Sequence, residues 1–149
     1  MPNNTIPDLH DLVNEFTSLR SRLVESLSAL KPAHIESLFG IPLENYKSIN
    51  ALPEATSCVY FLTHPEQGLL YIGKANNLKK RFYMYSSIFD TSQPEVLHTH
   101  PALIQAVRCG NTKLSWLEVS PDLNEMIEKI LIGTLVPKWN GHGNMSSLA

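Results

Sequence analysis

Two short apolar runs separated by a turn dominate the middle of this 149-residue chain. The runs are CVYFLT at residues 58–63 and LLYIG at residues 69–73, and HPEQG lies between them. Aromatic and β-branched residues favour strands, and Pro and Gly favour the reversal that joins two strands. The pattern therefore predicts a β-hairpin, around which the rest of the domain must be arranged.

A helical repeat of apolar residues precedes the hairpin. Between Asp8 and Leu30 they recur at helical spacing and form one stripe: Leu9, Leu12, Phe16, Leu19, Leu23, Leu27 and Leu30. Several are also seven residues apart, so self-pairing competes with packing on the chain's own domain, which is favoured because the heptads are few. A short helix through Ile35 should end at GIP, residues 40–42, and the stretch up to Thr56 is interpreted as a linker.

Helices and one further strand are expected after the hairpin. Asn76 or Asn77 can cap a helix that buries Leu78 and Phe82. Residues 101–110 predict a short helix, KLSWLEVS a third strand, and SPD the start of a last helix that ends before Pro137. We therefore expect an α+β fold with a small three-stranded antiparallel sheet flanked by helices. Its parts are a helical extension and linker at 1–51, the main domain at 52–140 and a flexible tail at 141–149.

Composition excludes several classes of protein. Cys58 and Cys109 are the only cysteines and lack metal-ligand spacing, which argues against a disulfide framework or a zinc site and for two buried thiols. No apolar run approaches the roughly 18 residues of a membrane helix. The first residues also lack the features of a signal peptide. We expect a cytoplasmic protein without a membrane-spanning segment.

Four cations gather in YIGKANNLKKRF, residues 71–82, although the net charge of the chain is −2. They are Lys74, Lys79, Lys80 and Arg81. No acidic residue occurs between Glu66 and Asp90, so the cations share a positive local field. Such a field suits an anionic partner, and the alternative is a helix face that is merely solvated.

These motifs resemble those of the GIY-YIG nuclease family. CVY at 58–60 and YIG at 71–73 are similar to its paired signatures. YIGKANNLKKRF looks like a segment in the N-terminal nuclease domain of the protein that makes the incisions in bacterial nucleotide-excision repair. IEKILIGTLVPKWN, residues 127–140, resembles the later segment in which a helical glutamate precedes Pro and Asn. One departure is Cys58, which stands where the family has its first glycine and is small enough to replace it.

The resemblance implies an endonuclease that hydrolyses DNA to 3′-hydroxyl and 5′-phosphate ends with Mg²⁺ or Mn²⁺. An RNA substrate stays open, as do roles in repair, restriction and mobile elements. The alternative is a catalytically weak or inactive nucleic-acid-binding module that acts through a partner. The N-terminal helices are the expected contact for such a partner, or for a second copy in a homodimer.

The resemblance also assigns individual residues. It places in the active site Tyr60, Tyr71, Lys74, Arg81, Tyr85, Glu128 and Asn140. Glu128 is the expected metal ligand, because Mg²⁺ is often held by one carboxylate together with substrate phosphate. Arg81 offers a planar fork for phosphate oxygens. A water would attack the phosphorus and pass its proton to Tyr71, helped by Lys74, although Tyr60 is the other candidate.

Four residues have roles outside proton transfer and metal binding. Lys79 and Lys80 are expected to contact phosphates without sequence preference. Gly73 should let the backbone approach the substrate closely, unless it is an inconsequential glycine at a strand end. The resemblance implies that Asn140 tethers the end of the site to the sheet. For Tyr85, simple packing against Leu78 and Phe82 is an equal alternative.

Overall fold

A computed structural model gives the fold and describes residues 8–44, 46–84, 111–138 and 140. The α+β class is confirmed, and helices flank one antiparallel sheet. In chain order the described elements are α1 Leu9–Ser28, α2 Pro32–Glu36, β1 Gly40–Pro42, α3 Tyr46–Asn50, β2 Cys58–His64, β3 Gly68–Ala75, α4 Leu78–Met84, β4 Lys113–Glu118 and α5 Asn124–Leu135. The predicted helix at 101–110 and the tail from Gly141 lie outside the described residues, as do Tyr85 and Cys109.

Among the described residues the sheet has four strands in the order β1-β4-β2-β3, whereas three were predicted. The predicted hairpin is confirmed as β2 and β3, and β4 pairs with the other side of β2. The additional strand is β1, whose Gly40 and Pro42 lie opposite Ser115 and Lys113. Gly and Pro suggested a helix end here, but an edge strand tolerates proline because one of its sides needs no ladder partner. A Cβ atom on Gly40 would lie 2.6 Å from the Leu114 carbonyl oxygen, so the close pairing requires glycine.

The stretch interpreted as a linker is also part of the folded domain. It contains α3, and Leu43, Ile49 and Leu52 are all buried in the core. The Leu43 N–H donates a hydrogen bond to the Thr112 carbonyl. The linker prediction was wrong because these apolar residues are too few and too widely spaced to show a helical or strand period.

The core lies on both faces of the sheet because β2 is buried along its whole length. One face packs against α3 and α4 and includes Tyr60, Leu78 and Phe82. The opposite face packs against α1, α2 and α5 and includes Val59 and Phe61. β3 lies at the edge of the sheet, so its outer side is available to the residues that follow α5.

The predicted N-terminal helix is confirmed as α1. The Asp8 carboxylate accepts a hydrogen bond from the His10 N–H and caps its first turn. Only the later part of its apolar stripe is packed, with Leu27 buried and Leu23 and Leu30 against the same core cluster. Among the described residues, no helix combines the length and apolarity that crossing a membrane requires.

Candidate active site

The two hairpin tyrosines lie on the same face of the sheet. Tyr60 is opposite Gly73 in the β2-β3 ladder, and Tyr71 is two residues before that glycine. The ring centroids of the tyrosines are 6.2 Å apart, and the Phe82 ring meets Tyr60 edge-on at 5.2 Å. Tyr60 is only 1% exposed, whereas Tyr71 is half-buried. Of the two phenols, Tyr71 therefore has the better access to a bound substrate.

The buried Gly73 lies under the ring of Tyr60. A Cβ atom at this position would lie 2.4 Å from Cζ and Oη of Tyr60, because the tyrosine ring covers the glycine across the hairpin. Gly73 is itself buried. The missing side chain makes room for the Tyr60 ring, so this glycine has a role in the core, and its close approach to a substrate stays a prediction.

Asn140 closes the outer edge of β3. Its Oδ1 accepts a hydrogen bond from the Ile72 N–H, and its Nδ2 donates one of 2.8 Å to the Ile72 carbonyl. The Lys138 N–H also donates to the Leu69 carbonyl. These bonds hold the segment after α5 against the strand that carries Tyr71. A role of Asn140 in catalysis itself stays a prediction.

Arg81 lies on helix α4, which follows β3 and packs on one face of the sheet. The Asn77 side chain caps it by accepting from the Lys80 N–H, and the Leu78 N–H donates to the Thr56 carbonyl. Leu78 and Phe82 are buried as predicted, which fixes the rotation of the helix. Arg81 is half-buried on this helix.

The two lysines beside Arg81 have different surroundings. Lys79 Nζ lies 2.8 Å from Glu54 Oε1, and this hydrogen bond is the main cause of a raised lysine pKa. The Lys79 side chain is 17% exposed, whereas Lys80 is exposed. Contact of both lysines with phosphate stays a prediction, and for Lys79 it competes with the ion pair to Glu54.

Glu128 lies on α5 in a half-buried position. Burial raises the pKa of its carboxyl group, Lys74 and Arg81 oppose that shift, and Glu125 adds to it. Lys74 Nζ is 3.7 Å from Glu125 Oε1, which links the end of β3 to the first turn of α5. The fold thus brings three predicted site residues, from β3, α4 and α5, into one electrostatic environment.

The residues present fit a divalent cation that is held largely by water and substrate. No group of three His, Cys, Asp or Glu side chains within the described ranges could enclose a metal ion. A single carboxylate is enough where substrate oxygens and water complete the shell of Mg²⁺. Burial raises the pKa of Glu128, and a bound cation would favour its charged form.

Asn124 is a structural residue of the site that the sequence did not single out. It is 2% exposed and one helical turn before Glu128. Its Nδ2 donates to Asn76 Oδ1 at 2.9 Å and lies 3.4 Å from both Ser57 Oγ and the Ala75 carbonyl. It therefore joins the start of α5 to the turn that leads into α4. Nothing in the local sequence distinguishes this Asn from an exposed helix-start residue.

Cys58 is packed into the core at the start of β2. It is fully buried, and desolvation with the charge of Glu118 raises its pKa to about 12. The thiol is therefore protonated at neutral pH and unreactive. Cysteine fills the position of the family's first glycine as a small apolar side chain.

Comparison with protein families places this arrangement in a known class. The GIY-YIG catalytic domain matches residues 56–140. Searches of curated proteins and of solved structures gave no match. Because the family match spans more than half of the 149 residues, the chain belongs to the GIY-YIG family, as its motifs predicted. The members of this family are nucleases, and they generally use a divalent metal ion.

Proposed function

We propose that this protein is a divalent-metal-dependent endonuclease that hydrolyses DNA phosphodiester bonds, leaving a 3′-hydroxyl and a 5′-phosphate. The observation that carries the proposal is the half-buried Glu128, whose carboxylate feels the charges of Lys74 and Arg81. The hairpin that supplies Lys74 also supplies Tyr71. A carboxylate, two cations and an accessible phenol are the groups that phosphodiester hydrolysis requires.

Glu128 is the residue that would hold the cation, Mg²⁺ or Mn²⁺. When bound, the ion supplies positive charge that stabilises the phosphate oxygens as negative charge builds up on them. Burial of Glu128 favours this binding, because an ion pair relieves the cost of a desolvated carboxylate. Asn124 supports the arrangement by fixing the turn of α5 that precedes Glu128.

Arg81 and Lys74 would hold the scissile phosphate. The guanidinium of Arg81 can donate two parallel hydrogen bonds to phosphate oxygens, which orients the phosphorus as well as neutralising charge. Lys74 provides a single point charge from the end of β3. Both groups are positioned by packed elements, so they lose little conformational freedom when the substrate binds.

Tyr71 would accept the proton of the attacking water. As a P–O bond forms to the water oxygen, one O–H bond breaks and its proton moves to the oxygen of Tyr71, which has first lost its own proton to solvent. The bond from phosphorus to the 3′ oxygen then breaks, and that oxygen takes a proton from solvent. A phenol with an ordinary pKa of about 10 needs positive charge nearby for this role, and Lys74 and Arg81 are the candidates. The core position of Tyr60 favours Tyr71 as the acceptor.

Two features bear on where and with what the protein acts. Cys58 is a free buried thiol, which is typical of proteins in reducing compartments such as the cytoplasm. Residues 52–140 are proposed as the nuclease domain, supported from outside that range by β1 and α3. DNA is the proposed substrate, with RNA tested as the alternative.

The decisive experiment measures nicking of supercoiled plasmid with Mg²⁺ or Mn²⁺. Glu128→Ala should reduce the rate by about 10²- to 10³-fold, the usual cost of losing one charge-stabilising group. Glu66→Ala, in the exposed hairpin turn, is the matched control and should leave the rate unchanged. Linear, branched and single-stranded DNA and an RNA duplex complete the panel.

Two results would count against the proposal. Wild-type rates in folded Glu128→Ala would falsify the role of the carboxylate. Binding of DNA without any metal-dependent cleavage of the panel would favour the nucleic-acid-binding module instead. Circular dichroism and thermal unfolding of each variant separate a loss of chemistry from a loss of fold.

A further inference from the structure

The first half of α1 leaves a row of large apolar side chains in solvent. Their exposed fractions lie between 45% and 70%, and they are Leu9, Leu12, Val13, Phe16 and Leu19. The same stripe continues into the packed half of the helix, where Leu23 and Leu27 join the core. The stripe is therefore continuous, and among the residues that the structure describes only its second half is packed against the domain.

The exposed row is too concentrated to be incidental. Single exposed apolar residues are normal on a protein surface, whereas a contiguous apolar patch marks an interaction site. Summed over the five side chains, the exposed area is on the order of 500 Å². A pair of such patches would bury about 1,000 Å² in total, which is near the lower limit for a specific interface.

We propose that this half of α1 pairs in antiparallel orientation with the same half of α1 in a second copy of the chain. In this orientation the charged residues of one helix lie beside residues of opposite charge on the other helix. The acidic residues Asp8, Asp11 and Glu15 come first, Arg20 and Arg22 follow, and Glu25 comes after them. Antiparallel pairing places the acidic end of each helix beside the basic residues of the other.

The spacing of the stripe defines the register of the pair. If Phe16 of one copy packs against Leu19 of the other, then Glu15 lies beside Arg22 across the interface, and symmetry forms this ion pair twice. Both charged side chains are exposed in the single chain. A parallel pair would bring Glu15 to Arg20 instead, so the two orientations differ in the arginine they use.

The anchoring of α1 also favours the antiparallel arrangement. The C-terminal half of each α1 is packed on its own domain through Leu23 and Leu27. A parallel pair would therefore bring two domains to the same end of the helices, where they compete for space. An antiparallel pair puts the two domains at opposite ends.

Pairing would fix the relation between two active sites. Leu27 of α1 shares a core cluster with Ile127 and Leu131 of α5, the helix that carries Glu128. The pair would carry two sites related by a twofold axis, the symmetry that also relates the two strands of a DNA duplex. This consequence rests on the proposed nuclease function, whereas the pairing itself does not.

Sedimentation of the full chain over a range of concentrations tests the pairing without reference to activity. We expect a monomer-dimer equilibrium with a dissociation constant on the order of micromolar, given the small area. Phe16→Glu should yield a monomer with unchanged circular dichroism, because Phe16 is 62% exposed and contributes little to the fold. A wild-type chain that stays monomeric to about 100 µM, well above that range, would overturn the proposal.

Two charge variants test the orientation. Glu15→Lys and Arg22→Glu should each weaken dimerisation by about tenfold, because each places like charges together twice. An equimolar mixture of the two variants should recover at least wild-type affinity, since each position 15 then meets an opposite charge at position 22. If the mixture dimerises no better than the single variants, the antiparallel register is wrong. Plasmid assays on the same samples report separately whether cleavage depends on dimerisation.

Discussion

The segment that matches the GIY-YIG family and the segment before it contribute differently to this protein. Residues 56–140 supply every described side chain that we assign to the chemistry. The residues before them divide into two parts. Residues 9–19 project an apolar face into solvent, whereas residues 40–54 are built into the sheet and the core. The comparison teaches that the boundary of a family match is not the boundary of the folding unit.

The helix that carries Arg81 shows this most directly. Its Tyr83 hydroxyl donates a hydrogen bond to the Asn50 side chain, and its Lys79 pairs with Glu54. Asn50 and Glu54 both precede the matched segment. An active-site helix of the nuclease domain is thus held in place from outside that domain's recognised limits.

The largest effect on stability is expected inside the preceding segment. Ile49→Ala should cost about 2–5 kcal/mol of the free energy of unfolding, because it removes a fully buried side chain from the core beside α4. Phe39→Ala, immediately before residues 40–54 and 85% exposed, should change it by less than about 0.5 kcal/mol. Urea unfolding at one protein concentration measures both. Equal, small effects would mean that residues 40–54 are an appendage after all.

Two glycines of the matched segment should respond in opposite directions to the same change. Gly73→Ala forces a Cβ atom to 2.4 Å from the Tyr60 ring and should cost about 1–3 kcal/mol. Gly133→Ala, in α5 with nothing within 4 Å, should stabilise by about 0.4–1 kcal/mol. Thermal and urea unfolding provide the measurement. A tolerated Gly73→Ala would show that the ring of Tyr60 can move aside.

Glu128→Gln tests how much stability the matched segment loses by partly burying a charged carboxylate at its candidate site. Because burial raises the pKa of Glu128 above its ordinary 4.5, the native chain holds this proton more tightly than the unfolded chain. Stability therefore falls as pH rises from about that ordinary value through the raised pKa, and the deficit persists at higher pH.

With metal chelated, Glu128→Gln should raise the melting temperature at neutral pH by a few degrees, on the order expected for a small stability gain. The gain should vanish in acid, where the wild-type carboxyl is also neutral in both states. Glu25→Gln, at an exposed position of α1, provides the matched change in the other segment and should have little effect. A melting temperature for Glu128→Gln that is unchanged at neutral pH would contradict the burial argument.

The smallest effect concerns DNA binding by neighbouring lysines. Lys80→Ala should lower the slope of log affinity against log salt by about one, because one phosphate contact is lost. Lys79→Ala should change the slope less, since Glu54 already pairs with this lysine. Fluorescence anisotropy of a labelled duplex across salt concentrations provides the readout. Equal slopes for the two variants would mean that Lys79 leaves Glu54 when DNA binds.

Prediction from the sequence succeeded where the signal is local. The hairpin, α1, α4, β4 and α5 each follow from a short-range period, a cap or a turn residue, and the motifs identified the family. β1 and α3 were missed because three residues of GIP and a few scattered apolar residues carry no period. They become ordered only through partners distant in sequence, as when Gly40 pairs with Ser115.

In the candidate site, too, the motifs indicated individual residues, whereas their contacts depend on the fold. The motifs proposed Tyr60, Tyr71, Arg81 and Glu128 as site residues, but they could not show which side chains lie beside Gly73 and Lys79. The ring over Gly73 and the carboxylate beside Lys79 come from other elements. Asn124 was missed for the same reason, since the local sequence at a helix start does not show whether an Asn side chain is exposed or buried.

The sequence by itself therefore determined the hairpin, most of the helices and the family, because periodicity, capping and motif spacing act over a few residues. Tertiary structure decided which side chains share an environment. It placed the half-buried Glu128 near the positive charges of Lys74 and Arg81. It also paired Lys79 with Glu54 and left the first half of α1 in solvent. Burial and electrostatic interactions depend on distance in space, and residues far apart in the chain set them.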